Sequence, residues 1–199
     1  FELCSHADDF ATWEKPFWIE NLEGIQYAKS ATMVDIGYTA AFEKDGEQKS
    51  IKDVSPLAEL TQLDNLILKQ DGIDDVSSLG TLVNLTQLDL SMNYKIEDIS
   101  VVQNMKQLNT LNVSSNKITD VSAISGLTKL QYLNLSNNKI SELPDMSSLT
   151  GVKTLLISDN QLTDVTPIAS LKNLEALDLT KNRGLTDVKA LANLIYLDK

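Results

Sequence analysis

Leucine-like residues return along the chain at a fixed step. Leu60, Leu82, Met105, Leu127, Leu149, Leu171 and Leu194 are separated by 22 or 23 residues. Within each unit the pattern is L-x-x-L-x-x-L-x-L-x-x-N-x-I-x-D-V, as in Leu127, Leu130, Leu133, Leu135, Asn138 and Ile140. A repeat of this length buries its apolar side only against neighbouring units, which is the signature of a solenoid. The x-L-x-L stretch alternates with period two and predicts a short strand, leucines inward and intervening residues outward on one face. Stacked strands then make a parallel sheet. The I-x-D-V-S-x-L segment is too short for a regular helix and predicts a tight 3₁₀-like turn that returns the chain along the opposite face. The expected fold is α/β: a curved solenoid of about seven to eight units, with the parallel sheet on its concave face and short 3₁₀ or irregular segments on its convex face.

These are leucine-rich repeats. Their asparagine column reads Asp71, Asn93, Asn116, Asn138, Asn160 and Asn182, and the extra residue of the two longer units falls just after Asn93 and just after Asn182, so both insertions belong in a turn. A second polar column, Asp53, Asp75, Asp98, Asp120, Asp164 and Asp187, precedes an apolar residue where a carboxylate can accept backbone N–H bonds. Both columns read as structural. Each unit buries about six apolar side chains, each contributing roughly 1.5–3 kcal/mol, once a neighbouring coil covers them.

The ends need covering. A fainter unit at Ala28, Ala31, Val34, Ile36 and Thr39 fits the same spacing if an insertion precedes Ile51, and Asp45-Gly46 within it suggests the tip of a hairpin over about residues 40–50. Residues 1–16, rich in aromatics with Phe1, Phe10 and Trp13, form the expected N-terminal cap, and 17–199 the repeat domain. Phe17 and Trp18 continue the aromatic cluster across that boundary. Leu194-Ile195-Tyr196-Leu197 reads as the strand of a new unit, so the natural protein is expected to continue beyond Lys199.

Composition narrows the function. With 17 Lys plus Arg against 28 Asp plus Glu the net charge is −11, which argues against nucleic acid and anionic membrane as partners. No apolar run approaches the roughly 20 residues that span a bilayer. One cysteine, Cys4, allows no intramolecular disulfide, and one histidine, His6, allows no multi-imidazole site. Cys4 and His6 with Asp8 and Asp9 follow no catalytic or zinc spacing, and Asp71-Gly72-Ile73-Asp74-Asp75 lacks the ligand series of a calcium loop. No phosphate-binding glycine motif is present. The chain reads as non-catalytic, with no cofactor and no metal.

Recognition then falls to the outward strand positions, which the leucines place in register. One column reads Met33, Asn65, Gln87, Thr110, Tyr132, Thr154, Ala176 and Tyr196; the next reads Asp35, Ile67, Asp89, Asn112, Asn134, Leu156, Asp178 and Asp198. Interfaces draw much of their energy from large anchors. The candidate partner-binding residues are therefore Met33, Asp35, Ile67, Asp89, Asn112, Tyr132, Asn134, Leu156, Asp178 and Tyr196. A third column, from Gly37 and Lys69 to Ser91, Ser114, Ser136, Ser158 and Thr180, is small and mostly hydroxylic, leaving room for a partner's backbone. The hairpin is a second candidate surface. Of three sequons, at Asn84, Asn112 and Asn134, the last two would put glycans on the concave face of a eukaryotic secreted protein, which favours a bacterial or cytoplasmic origin.

The repeats carrying Asp53-Val54-Ser55-Pro56-Leu57 and Asp164-Val165-Thr166-Pro167-Ile168, together with Leu22-Glu23-Gly24-Ile25-Gln26-Tyr27 at the head of the array, resemble those of the internalin family of Gram-positive surface proteins. The resemblance covers about residues 17–197. It implies a secreted or cell-surface domain, anchored through another part of the chain, that binds a protein on its concave face; the domain itself is expected to be monomeric. The first 16 residues, the absence of an immunoglobulin-like segment and the absence of a wall-sorting motif depart from that family. An intracellular scaffold similar to the leucine-rich regulatory subunit of protein phosphatase 1 is the alternative, and the D-V-x-P variants favour the surface protein.

Overall fold

The computed structural model describes residues 21–37 and 51–197, and the backbone of 41–42 and 48–49. The N-terminal cap expected at 1–16 and the hairpin tip at 43–47 lie outside the described residues. Nine short strands occur among them: β1 (Met33–Asp35), β2 (Ala41–Phe42), β3 (Gln48–Lys49), β4 (Asn65–Ile67), β5 (Gln87–Asp89), β6 (Thr110–Asn112), β7 (Tyr132–Asn134), β8 (Thr154–Leu156) and β9 (Ala176–Asp178). Seven form one sheet in the order β1-β4-β5-β6-β7-β8-β9, every neighbouring pair parallel. Strands β2 and β3 pair antiparallel inside the insertion, Ala41 with Lys49 and Phe42 with Gln48.

Register follows the leucines without a slip. Val34, Leu66, Leu88, Leu111, Leu133, Leu155 and Leu177 are paired in sequence across the sheet. All but the last are buried, and with the leucines and isoleucines of the turns they make one continuous core. Leu177, Leu179, Leu185 and Leu191, in the last described coils, are only partly buried.

The return path is a 3₁₀ turn in most units: Ser55–Glu59, Ser77–Thr81, Ser100–Asn104, Ser122–Gly126, Thr166–Ser170 and Lys189–Asn193. The residue flanking each turn is Val or Ile, which has no oxygen to cap it. The aspartate one position earlier does so instead: Asp53, Asp75, Asp120 and Asp164 accept the N–H two residues on at 2.8 Å, as does Asp187, and Asp98 does so at 2.6 Å. The unit between β7 and β8 has no 3₁₀ turn. There Glu142 replaces the aspartate, and Pro144 stands where Ser122 donates its N–H one coil earlier, so donor and short acceptor are lost together. Asp145, which the repeat pattern does not pick out, holds the Ser147 N–H at 2.9 Å in its place.

Asparagines stitch adjacent coils together. Asn138 donates through Nδ2 to Val113 and Leu135 carbonyls and accepts the Ile118 N–H through Oδ1. Asn160 and Asn182 repeat the arrangement. The residue before each member of the column turns the chain with positive φ, from Gln70 before Asp71, through Met92 and Ser115, to Asn137, Asp159 and Lys181.

Candidate concave binding face

Outward strand positions face away from the core, and their environments separate into two kinds. In the second column, an oxygen from Asp35, Asp89, Asn112, Asn134 and Asp178 accepts the N–H two residues on, from Gly37, Ser91, Ser114, Ser136 and Thr180, at 2.9–3.2 Å. This Asx-type turn ends those five strands. The polar members of the column therefore have a structural task. The Thr180 backbone N–H, followed by the Thr180 hydroxyl, also holds the Asp178 carboxyl below the usual carboxylate range.

Ile67 and Leu156 stand in this column without an oxygen to offer. Both are partly exposed, and each lies diagonally across the sheet from a large residue of the first column. Met33 pairs with Asn65 while Asp35 pairs with Ile67, and Tyr132 pairs with Thr154 while Asn134 pairs with Leu156. Diagonal neighbours on one face of a sheet stand about 7–8 Å apart, within reach of long side chains. The face thus carries two equivalent apolar pairs, Met33 with Ile67 and Tyr132 with Leu156, four strands apart. At a strand spacing of about 4.8 Å the pairs are about 19 Å apart. Polar Gln87, Asp89, Thr110 and Asn112 fill the interval, with Asn112 Nδ2 donating to Asp89 Oδ2 at 3.3 Å.

One predicted site residue is misplaced by the sequence reading. Tyr196 lies in a turn, not on a strand. It follows Leu194 by two residues, the position of Lys129 after Leu127, whereas Tyr132 follows Leu127 by five. The three-residue spacing of Leu194 and Leu197 is that of the turn, and the period-two reading mistook it for a strand. Tyr196 is consequently 59% exposed and outside the concave columns. Asp198 lies outside the described residues.

Among the described residues no group of three or more His, Cys, Asp and Glu side chains is placed to hold a metal ion. A groove of about 450 Å³ sits on the turn side between Asp74, Asp75, Lys95, Glu97, Asp98 and Lys117. Its Asp75 and Asp98 are occupied in capping 3₁₀ turns. In the Asp71–Asp75 run the carboxylates diverge, Asp71 fully buried in the asparagine column and Asp74 exposed. No helix among the described residues is long and apolar enough to cross a membrane.

Comparison with known proteins agrees with the architecture. The family model Leucine Rich repeats (2 copies) matches residues 106–148 and 150–193. No curated protein matches the chain. Among solved structures, an internalin C2 (inlC2) from Listeria monocytogenes has a TM-score of 0.82 and 32% identity, over 90% of this chain and 74% of that one. An internalin (inlF) from the same organism has a TM-score of 0.77 and 32% identity over 87% of this chain and 48% of that one, so the chain spans about half its length. A leucine-rich-repeat protein of Leptospira interrogans, at 22% identity and a TM-score of 0.62 over 87% of this chain and 49% of that one, shares the fold. Leucine-rich scaffolds of this kind are typically non-catalytic and suggest a protein-interaction module. Sequence identity to internalin C2 that extends across most of that protein, on the same coiled architecture, places this chain in the internalin family of leucine-rich-repeat proteins.

Proposed function

We propose that this chain is the non-catalytic recognition module of a secreted or bacterial cell-surface protein, and that it binds a partner protein through the concave face of its sheet, in adhesion to a host or contact within the envelope. The observation that carries this reading is the pair of aliphatic residues, Ile67 and Leu156, in a column whose other five described members each supply an oxygen to a backbone N–H. Neither aliphatic serves the fold as its column mates do. Each instead presents apolar atoms beside Met33 or Tyr132, and anchors of this kind concentrate the energy of protein interfaces.

The test is affinity capture from host-cell-surface and bacterial-envelope extracts, with the wild type beside a Tyr132→Ala, Leu156→Asp double variant. Both substitutions lie on the outward face, and aspartate is the residue the column uses elsewhere, so the variant should fold. A partner lost only by the variant supports concave-face recognition, and its source separates adhesion from envelope contact. A partner held equally by both proteins places the interface elsewhere and ends this reading.

A further inference from the structure

The second column uses aspartate and asparagine interchangeably as far as the backbone is concerned. Asp89 accepts the Ser91 N–H at 2.9 Å, Asn134 accepts the Ser136 N–H at 3.0 Å, and Asn112 accepts the Ser114 N–H at 3.2 Å. The strand ending needs one oxygen and no charge. The negative charge of Asp35 and Asp89 is therefore surplus to the strand ending, that of Asp178 is shared with Thr180 and Lys181, and the three are not spread at random. In register, Asp35 and Asp89 flank Ile67 on the two adjacent strands, and Asp178 flanks Leu156.

Few cations on this face answer that charge. Lys153 is paired with Glu175 at 2.9 Å, and Lys181 lies 3.4 Å from Asp159 while also acting on Asp178. Lys69 packs its stem over Gly37, where an added Cβ would fall 2.8 Å from its Cγ, and so stands near Asp35. Asp89, on the strand beside Ile67, has the neutral Asn112 amide as its side-chain neighbour. The backbone of the inner strands is already bonded on both sides, so a partner meets this face through side chains, as an amphipathic helix does in a groove.

We propose that the concave face is built for a cationic amphipathic helix: a partner segment with two apolar residues near 19 Å apart, each beside lysine or arginine, the apolar groups seating on Met33–Ile67 and Tyr132–Leu156 and the cations on Asp35, Asp89 and Asp178. This rests on the concave-face reading above and adds the chemistry of the partner. Two heptads of helix rise about 21 Å and return to nearly the same face, which matches the spacing of the two pairs. Lysine and arginine stems can lie along Ile67 or Leu156 while their heads reach the neighbouring carboxylates.

The probe is a synthetic helical peptide of about 20 residues with leucines two heptads apart and lysines one turn from each, compared with the same peptide carrying glutamates in place of the lysines. Binding is followed by methyl NMR of the isoleucine- and leucine-labelled protein. The lysine peptide should move the Ile67 and Leu156 methyl signals together and saturate them with one dissociation constant. In the Asp35→Asn, Asp89→Asn, Asp178→Asn variant that constant should rise about tenfold, the scale of three partly exposed ion pairs. If the triple variant melts earlier, Asp89→Asn alone carries the comparison, with a rise of about twofold to threefold. Equal binding of the glutamate peptide, unchanged affinity in the asparagine variants, or unmoved Ile67 and Leu156 signals would each overturn the proposal. A captured protein that needs Tyr132 and Leu156 yet binds the triple variant at full strength would overturn the cationic partner while leaving concave-face recognition standing.

Discussion

Asn138 Oδ1 accepts the Ile118 N–H at 3.0 Å, and one coil earlier the corresponding bond between Asn116 and Ile96 is missing. Asn116 still donates to the Leu90 and Val113 carbonyls, but its Oδ1 is buried without a partner. The cause is the extra residue after Asn93. Ile118 follows Asn116 by two residues, whereas Ile96 follows Asn93 by three, so its N–H is carried out of register with the asparagine of the next coil.

The two asparagines should consequently differ in worth. Asn138→Ala strips partners from an N–H and two carbonyls in the interior and should cost about 3 kcal/mol. Asn116→Ala removes a side chain whose acceptor is already idle, and should cost about 1 kcal/mol less. Urea denaturation of both variants beside the wild type reads the difference. Equal losses would mean that the insertion does not weaken the asparagine ladder.

The same insertion holds Tyr94 at φ 62°, in the left-handed region that an aromatic residue adopts only under strain. Gly72 occupies the matching place one coil earlier at φ 76°. Tyr94 is 53% exposed, so its ring contributes little packing. Tyr94→Gly should stabilise the protein by about 1 kcal/mol, seen as a raised melting temperature.

Alternation along β8 gives a sharper contrast. Leu155 is 0% exposed and points into the core, whereas Leu156 faces out beside Tyr132. Leu155→Asp should unfold the protein or cost more than about 4 kcal/mol, because it buries an unpaired carboxylate. Leu156→Asp should stay within about 1 kcal/mol of the wild type, since it restores the acceptor that Asp178 and Asn134 supply on either side. Circular dichroism melts of the two variants settle the register directly.

Acid sensitivity should arise from the turn-capping aspartates. At Asp75 and Asp120 the backbone N–H of Ser77 or Ser122, followed by its hydroxyl, holds the carboxyl below its ordinary value. At Asp53 and Asp164 the Ser55 or Thr166 hydroxyl acts first and the backbone N–H second. A carboxyl lowered on folding contributes stability above its unfolded value of about 3.9, and that contribution is lost as pH falls through the folded value. Stability should therefore be level near neutrality and decline below about pH 4. Asp75→Asn with Asp120→Asn keeps an acceptor but removes the titration, so the drop in urea midpoint between pH 7 and pH 3 should be smaller than in the wild type.

Much of this was legible in the sequence because a solenoid is a local problem repeated. Leucine spacing fixed the strand register, the inward and outward residues and the 3₁₀ turns, since each coil meets only its neighbours and the same side chains recur at the same places. Local chemistry likewise identified the turn-capping aspartates and the asparagine ladder. The reading failed where the repeat is broken or incomplete: at Tyr196, where three-residue turn spacing resembles strand alternation, and at Glu142 and Pro144, where the turn loses its donor. Only the tertiary structure showed that Asp35, Asp89, Asn112, Asn134 and Asp178 spend an oxygen on the backbone while Ile67 and Leu156 do not. That distinction depends on where the chain swings after each strand, and a pattern of polar and apolar letters carries no record of which atoms the backbone has already claimed.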